Sequence, residues 1–145
     1  MKALKSIALV AIALLYIQAT PPSNPNSEGI SFFQGTWEEA LAKAEEENKV
    51  IFLDAYASWC GPCKLLKRNV FSDATVGEFY NSNFINVAMD MEKGEGPKIA
   101  SKYGVRAYPT LIYINGDGSI ANKAVGYHNT DQLIGLGTKV LAPQG

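Results

Sequence analysis

The only two cysteines of this 145-residue chain form the motif Cys60-Gly61-Pro62-Cys63, which follows a mostly apolar segment, Val50–Tyr56. The apolar segment predicts a buried strand. A strand that ends here would bring Cys60 to the first turn of a helix, where unpaired N–H groups and the positive end of the helix dipole face the sulfur. In such positions the pKa of a thiol falls from ~8.5 to roughly 3.5 to 7.5. The motif therefore predicts thiol–disulfide exchange by an accessible Cys60 thiolate.

The two residues between the cysteines suit the start of a helix. Pro62 would lie in the first turn, where a missing N–H costs nothing and the fixed φ is favourable. Gly61 has no side chain, so a partner molecule can approach the sulfur atoms closely. We expect a helix over 62–70, with Gly61 and Pro62 contacting the substrate.

A zinc site, a structural disulfide and a pair of unrelated buried thiols each account less well for the two cysteines. A structural zinc site needs four ligands, and the chain has no further cysteine and one histidine, His128. A structural disulfide closing so short a loop would add about 2 kcal/mol, against about 3 kcal/mol for a 15-residue loop. Two unrelated buried thiols would be unusual at the exposed start of a helix. We therefore expect neither a metal nor an organic cofactor.

The motif and its surroundings resemble the thioredoxin family, which has Trp-Cys-Gly-Pro-Cys-Lys at the same junction of strand and helix. The resemblance covers roughly residues 30–141. It implies a thioredoxin fold, an α/β architecture with a mixed central β-sheet and helices on both faces. The further matches are Trp59 before the first cysteine, Asp54 at the family's buried acid, Tyr108-Pro109 at its cis-proline loop, and Gly126 at its late glycine.

Some segments depart from the family's usual pattern. Extra residues around 92–96, together with the segment 70–73, resemble the exported, thioredoxin-like disulfide reductases of bacteria more than cytosolic thioredoxin. The lysine that partners the buried acid in thioredoxin is replaced, and we assign Asn86 to its position.

Asp54 is the polar exception in an apolar strand. A carboxylate buried without a partner is costly, so its pKa should be raised. A raised pKa would let Asp54 accept the proton of Cys63 when that thiol resolves a mixed disulfide. The structural alternative is a carboxyl group satisfied by a neighbouring donor.

The resemblance also implies a substrate-binding surface next to the cysteines. A cis bond between Tyr108 and Pro109 would let the Tyr108 backbone pair with an extended substrate segment. Trp59 would shield the disulfide and contact the substrate. Ordinary packing is the alternative role for both aromatic rings.

The first residues predict export. Lys2 and Lys5 precede an apolar stretch over 7–17, which is the order of a secretory signal peptide, and we place cleavage after Ala19. An uncleaved membrane anchor stays open because Ile17 is large for such a cleavage site. The predicted organisation is a signal peptide (1–19), a flexible linker rich in Pro, Ser and Asn (20–29) and one thioredoxin-like domain (30–143), located in the periplasm or secreted.

Periodicity and turn residues place the elements around the motif. The order of the predicted strands and helices along the chain implies a mixed sheet covered on both faces. A capping box of Thr36 and Glu39 begins the first helix, and Thr130 would cap the last. Predicted strands are 50–56, 84–89, 110–114 and 119–125, the last two forming an antiparallel hairpin; predicted helices are 36–47, 62–70 with a continuation or restart to 79, 97–103 and 130–141.

The predicted activity is the reduction of protein disulfides outside the cytoplasm. Cys60 would attack a client disulfide, and Cys63 would then attack Cys60 to release the reduced client. The partners are a disulfide-containing client protein and, from the resemblance, a membrane electron donor; we expect a monomer. The net charge is −1, or about −3 without the leader lysines, which gives no indication of nucleic-acid binding.

Two other functions stay open. The same site could run in the other direction as a disulfide oxidase or isomerase, because direction depends on the reduction potential relative to the compartment. The Gly-Pro dipeptide between the cysteines resembles the reducing members of the family. Alternatively, the groove at Tyr108 and Pro109 could hold extended peptides, with redox chemistry secondary.

Overall fold

The computed structural model describes residues 28–143, which form four strands and five helices. The predicted signal peptide and residues 20–27 of the predicted linker lie outside the described residues. In chain order the elements are α1 (Trp37–Glu47), β1 (Val50–Tyr56), α2 (Gly61–Asn69), α3 (Ala74–Asn83), β2 (Phe84–Asp90), α4 (Gly96–Tyr103), β3 (Thr110–Ile114), β4 (Ile120–Val125) and α5 (Thr130–Leu141).

The four strands form one mixed sheet in the order β2-β1-β3-β4. β1 pairs in parallel with β2 and antiparallel with β3, and β3 pairs antiparallel with β4. The predicted mixed sheet and the predicted hairpin are therefore confirmed. β1 is an inner strand, so its carboxyl end lies at the middle of the sheet and not at an edge strand. Cys60 follows this end of β1 and lies at the same place.

Alternating side chains of β1 point to opposite faces of the sheet, and each face has its own core. Ile51, Leu53 and Ala55 pack with α1 and α4 on one face. Phe52 packs with α2, α3 and α5 on the other. Asp54 has the parity of Phe52 and so lies on the face that α2 covers.

The structure decides between the predicted continuation and the predicted restart after α2 and corrects one cap. The chain leaves α2 at Asn69 and restarts at α3, which extends beyond the predicted end, to Asn83, and whose Asp73 cap accepts the N–H of Val76 at 3.0 Å. The cap of α5 is Asn129 and not Thr130, because Asn129 has extended backbone and exchanges side-chain and backbone hydrogen bonds with Gln132. Thr130 is the first helical residue.

The start of the described chain is tied to the domain. Gly29, the last residue of the predicted linker, is buried, and its carbonyl accepts a hydrogen bond from the Asn81 side chain at 3.1 Å. Among residues 28–143, no helix is both long enough and apolar enough to cross a membrane.

Candidate active site

Cys60 and Cys63 form a disulfide at the start of α2, with their Cα atoms 5.3 Å apart. Cys60 is the N-cap, and its Sγ accepts the backbone N–H of Cys63 at 3.2 Å. Pro62 is the second residue of the helix, in the first turn, where a missing N–H leaves no helix hydrogen bond unmade. The predicted arrangement, in which the helix start directs N–H groups at the first sulfur, is therefore present.

The structure contains the oxidised pair, in which Cys60 is buried, so the accessible Cys60 thiolate of the reduced protein stays a prediction. Cys60 is 2% exposed and Cys63 is 6% exposed. Both cluster with Ala57, and the half-buried Tyr56 and Tyr108 pack against this cluster. Gly61 and Pro62, between the cysteines, are exposed.

The Tyr108–Pro109 bond is cis, as the resemblance implied. The Tyr108 side chain packs against the cysteine pair, and its ring meets the Trp59 ring edge-on with centroids 5.9 Å apart. The Pro109 carbonyl accepts the N–H of Gly126 at 2.8 Å, which ties the cis-proline loop to the end of β4. Trp59 is 67% exposed and Tyr108 is half-buried, whereas Pro109, also predicted to contact the substrate, is buried.

Asp54 lies in the core behind the cysteines. The residue is 6% exposed, and its Oδ1 atom has no hydrogen-bond partner among the described residues. Burial raises the pKa of this carboxyl group from 3.8 to about 7, and the positive charge of Lys67 opposes part of the rise. The predicted raised pKa is confirmed, and a neighbouring donor does not satisfy the Oδ1 atom.

Asn86, which we assign to the position of the family's partner lysine, makes no hydrogen bond to Asp54. In the parallel register of β1 and β2, Ala88 is the residue opposite Asp54, whereas Asn86 is opposite Phe52. The Asn86 amide donates to the Asn81 side chain at 3.1 Å, away from the site. A methyl group therefore occupies the β2 position next to the acid.

A cavity of about 600 Å³ connects the buried acid with the second cysteine. Its charged and titratable lining residues are Asp54, Tyr56, Cys63, Lys64 and Lys67; the segment 32–35, Ala57, Ser58, Phe71 and Ala88 complete the wall. A cavity of this size with polar groups in its wall can hold several water molecules. Asp54 and Cys63 thus line one common cavity.

The loop after β2 contacts the motif in a way that sequence analysis did not predict. The Trp59 indole N–H donates to the Glu92 carboxylate at 2.9 Å, and Lys93 Nζ donates to Ser58 Oγ at 2.8 Å. Ser58 Oγ in turn donates to Asp90, and this bond is the largest cause of the lowered pKa of the Asp90 carboxyl group. The extra residues around 92–96 were visible in the sequence, but their contact partners were not.

Within the described residues, no three His, Cys, Asp or Glu side chains are grouped so that they could hold a metal ion. The site therefore consists of the disulfide, the buried acid and the aromatic surface. These groups suit disulfide exchange, since the cysteine pair lies at a helix start and shares a cavity with a buried carboxyl group whose pKa is raised.

Residues 37–141 match the family described as a thioredoxin-like domain, and the chain belongs to this family. It is a thiol–disulfide oxidoreductase with a thioredoxin fold. The chain is 35% identical over 95 residues to thioredoxin H4 of Arabidopsis thaliana, covering 66% of this chain and 75% of that protein.

Two solved structures are similar to this one. The solution structure of a candidate disulphide isomerase from Bacteroides thetaiotaomicron has a TM-score of 0.71 and 42% identity, covering 82% of this chain and 98% of that one. A thioredoxin from Thermus thermophilus has a TM-score of 0.70 at 19% identity, covering 81% of this chain and 91% of that one. The second likeness supports the fold alone.

Proposed function

We propose that this chain reduces disulfides of client proteins outside the cytoplasm, as a monomer that receives its electrons from a membrane donor. The observation that carries the proposal is the asymmetry of the cysteine pair. Cys60 Sγ accepts a helix N–H, whereas Cys63 lines the cavity that contains Asp54. This asymmetry supports Cys60 as the stable thiolate and Cys63 as the thiol that gives its proton to Asp54.

The first step uses the thiolate of reduced Cys60. Its sulfur attacks one sulfur of the client disulfide, forming an enzyme–client disulfide and expelling the other client sulfur as a thiolate, which takes a proton from solvent. The helix N–H groups favour the attacking anion. The exposed Trp59 and the cis-proline loop lie where an extended client segment would bind.

The second step uses Cys63. Its thiol gives its proton to the Asp54 carboxylate, and the resulting thiolate attacks Cys60 Sγ. The second client sulfur leaves as a thiolate and is protonated. One client disulfide and two enzyme thiols become two client thiols and the Cys60–Cys63 disulfide, which is the state of the present structure.

The location and the electron donor are proposals from the sequence. The order of Lys2, Lys5 and the apolar stretch over 7–17 supports export. In an oxidising compartment a dithiol stays reduced only if a partner returns electrons to it, so export and a dedicated donor belong together.

A trapping experiment tests this function. The variant Cys63→Ala should stop at the mixed disulfide, so that client proteins remain bound through Cys60 and are released by dithiothreitol. In bacteria expressing the chain with residues 1–19, the trapped clients should be proteins of the cell envelope or medium. The matched control is Cys60→Ala, which should trap nothing.

Two results would contradict the proposal. Clients found exclusively in the cytoplasm would refute export, and a Cys60→Ala variant that traps as well as Cys63→Ala would refute the assigned order of attack. The reduction potential of the Cys60–Cys63 pair tests whether the chain reduces or oxidises its clients. A potential near −120 mV, as in a strong oxidant, would exclude a reductase, whereas about −270 mV is typical of thioredoxin.

Isomerase activity is the second candidate, because the Bacteroides thetaiotaomicron structure at 42% identity is a candidate disulphide isomerase. An isomerase should restore activity to scrambled ribonuclease without net consumption of a reductant. A reductase should reduce insulin disulfides at a rate limited by the supply of reductant. Comparing both rates in one preparation separates the two functions.

A further inference from the structure

Lys67 lies one helical turn after Cys63 on α2. Residues four apart are neighbours on one side of a helix, so the side chains of Cys63 and Lys67 lie next to each other on α2. Both line the cavity that contains Asp54. Lys67 is itself exposed, so the cavity runs from the surface at the lysine to the buried carboxyl group.

The other walls of the cavity leave Lys67 as the cation that acts on Asp54. β2 contributes Ala88, β1 contributes Tyr56, and the segment 32–35 contributes no charged residue. Lys64 also lines the cavity, but Lys67 is the cation whose charge lowers the proton affinity of Asp54. No carboxylate within residues 28–143 lies within ion-pair distance of the Lys67 ammonium group, so no such pair neutralises it.

We propose that Lys67 is a positioning residue for the second exchange step, in which its ammonium group keeps Asp54 ionised and therefore able to accept the proton of Cys63. The proposal rests on the role of Asp54 proposed above. In this chain the positive charge near Asp54 comes from α2, because the β2 residue opposite Asp54 is Ala88.

Burial and the Lys67 charge act on the pKa of Asp54 in opposite directions. A carboxyl group with so little exposure and an unpaired oxygen is driven towards its protonated form, which has no capacity to accept a further proton. A nearby cation favours the carboxylate. The lysine does not take the proton itself; it sets the fraction of molecules in which Asp54 can take it.

The test compares three variants of the reduced protein. Lys67→Met removes the charge and keeps most of the side-chain volume, and Lys67→Arg keeps the charge. Arg68→Met, the control, makes the same loss of charge one residue further along α2, outside the cavity. For each, the pKa of Asp54 is measured by carboxyl ¹³C NMR, and the second step is measured as release of a preformed mixed disulfide in a single turnover.

Lys67→Met should raise the pKa of Asp54 by about half to one unit, since an opposite charge beside an acid lowers its pKa by roughly this much or more. From a value of about 7, this shift would slow release at pH 7 about two- to five-fold, with recovery at higher pH. Lys67→Arg and Arg68→Met should resemble the parent protein. An equal pKa of Asp54 in Lys67→Met and Arg68→Met would overturn the proposal.

A double-mutant cycle separates this inference from the role of Asp54 itself. If Lys67 acts through the acid, Lys67→Met should have no further effect on release in an Asp54→Asn background. An effect of the same size in both backgrounds would show that Lys67 acts on the sulfur atoms or the client, and would refute the inference. If Asp54→Asn alone leaves release unchanged, the proposed proton acceptor is wrong, whatever the pKa measurement shows.

Discussion

The raised pKa of Asp54 predicts a large and unusual dependence of stability on pH. Between pH 3.8 and about 7 the native carboxyl group binds a proton that the unfolded chain has already lost. The free energy of unfolding therefore falls as pH rises through this window and levels off above it. At 1.36 kcal/mol per pKa unit, the shift corresponds to about 4 kcal/mol of stability present near pH 3 and lost by pH 8.

The substitution Asp54→Asn isolates this effect, because the amide has nearly the same shape and does not ionise. Relative to the parent protein, the variant should gain about 4 kcal/mol between pH 3 and pH 8. The assay is urea denaturation of the oxidised protein at a series of pH values. Contributions of the other titrating groups cancel in the difference between the two proteins.

The control for this experiment is Asp131→Asn, the same chemical change at an exposed position of α5. It gives the baseline for replacing a carboxyl group at the surface. A difference between Asp54→Asn and the parent that stays constant from pH 3 to pH 8 would refute the raised pKa. A difference that shrinks with rising pH would mean that the native site stabilises the carboxylate.

Two further predictions concern the core and the loop after β2. Tyr80→Phe should cost about 1 to 3 kcal/mol in urea denaturation, and more than Tyr113→Phe. The Tyr80 hydroxyl donates to the Leu133 carbonyl at 2.7 Å and lies 2.6 Å from the Tyr113 hydroxyl. Removing the Tyr80 hydroxyl therefore leaves two groups without this partner, whereas removing the Tyr113 hydroxyl leaves one. Equal costs would contradict this order of donation. Glu92→Ala should shift the Trp59 indole N–H resonance upfield and speed its hydrogen exchange, because the bond of 2.9 Å is lost. The Trp37 indole is the internal control, and an unchanged Trp59 resonance would show that the bond is absent in solution.

Much of the fold could be predicted because local patterns and long-range contacts agree. β1 has the predicted bounds, Val50–Tyr56, because a mostly apolar run of 7 residues has the usual length of a strand and is short for a helix. The first helix has the predicted capping box, with the Glu39 N–H bonded to Thr36 at 3.2 Å and the Thr36 N–H bonded to Glu39 at 2.7 Å. At α5 two good caps stand side by side, and Gln132 three residues after Asn129 is the pattern that distinguishes them.

The parts of the site that could not be predicted depend on register and on tertiary contacts. Asn86 and Ala88 point to the same face of β2, so periodicity alone could not decide which one lies opposite Asp54. In the sequence, Lys67 does not differ from an ordinary lysine on the exposed side of a helix. Glu92 lies in a loop, and its bond to Trp59 spans 33 residues of sequence.

Asp54 lowers the stability of the protein at neutral pH and lines the same cavity as Cys63, and together these two properties separate a chemical role from a packing role. Phe52 and Leu53 on the same strand are fully buried and apolar, so an apolar residue at position 54 would continue the core and avoid the loss of about 4 kcal/mol above pH 7. Replacing a residue that only packs should lower the stability of the protein and change the rates of the two exchange steps to a similar extent. For Asp54 we expect the opposite signs: Asp54→Asn should raise stability at neutral pH and slow release of the mixed disulfide while the first attack stays nearly intact. Equal slowing of both steps would mean that the carboxyl group shapes the site as a whole and does not accept the Cys63 proton.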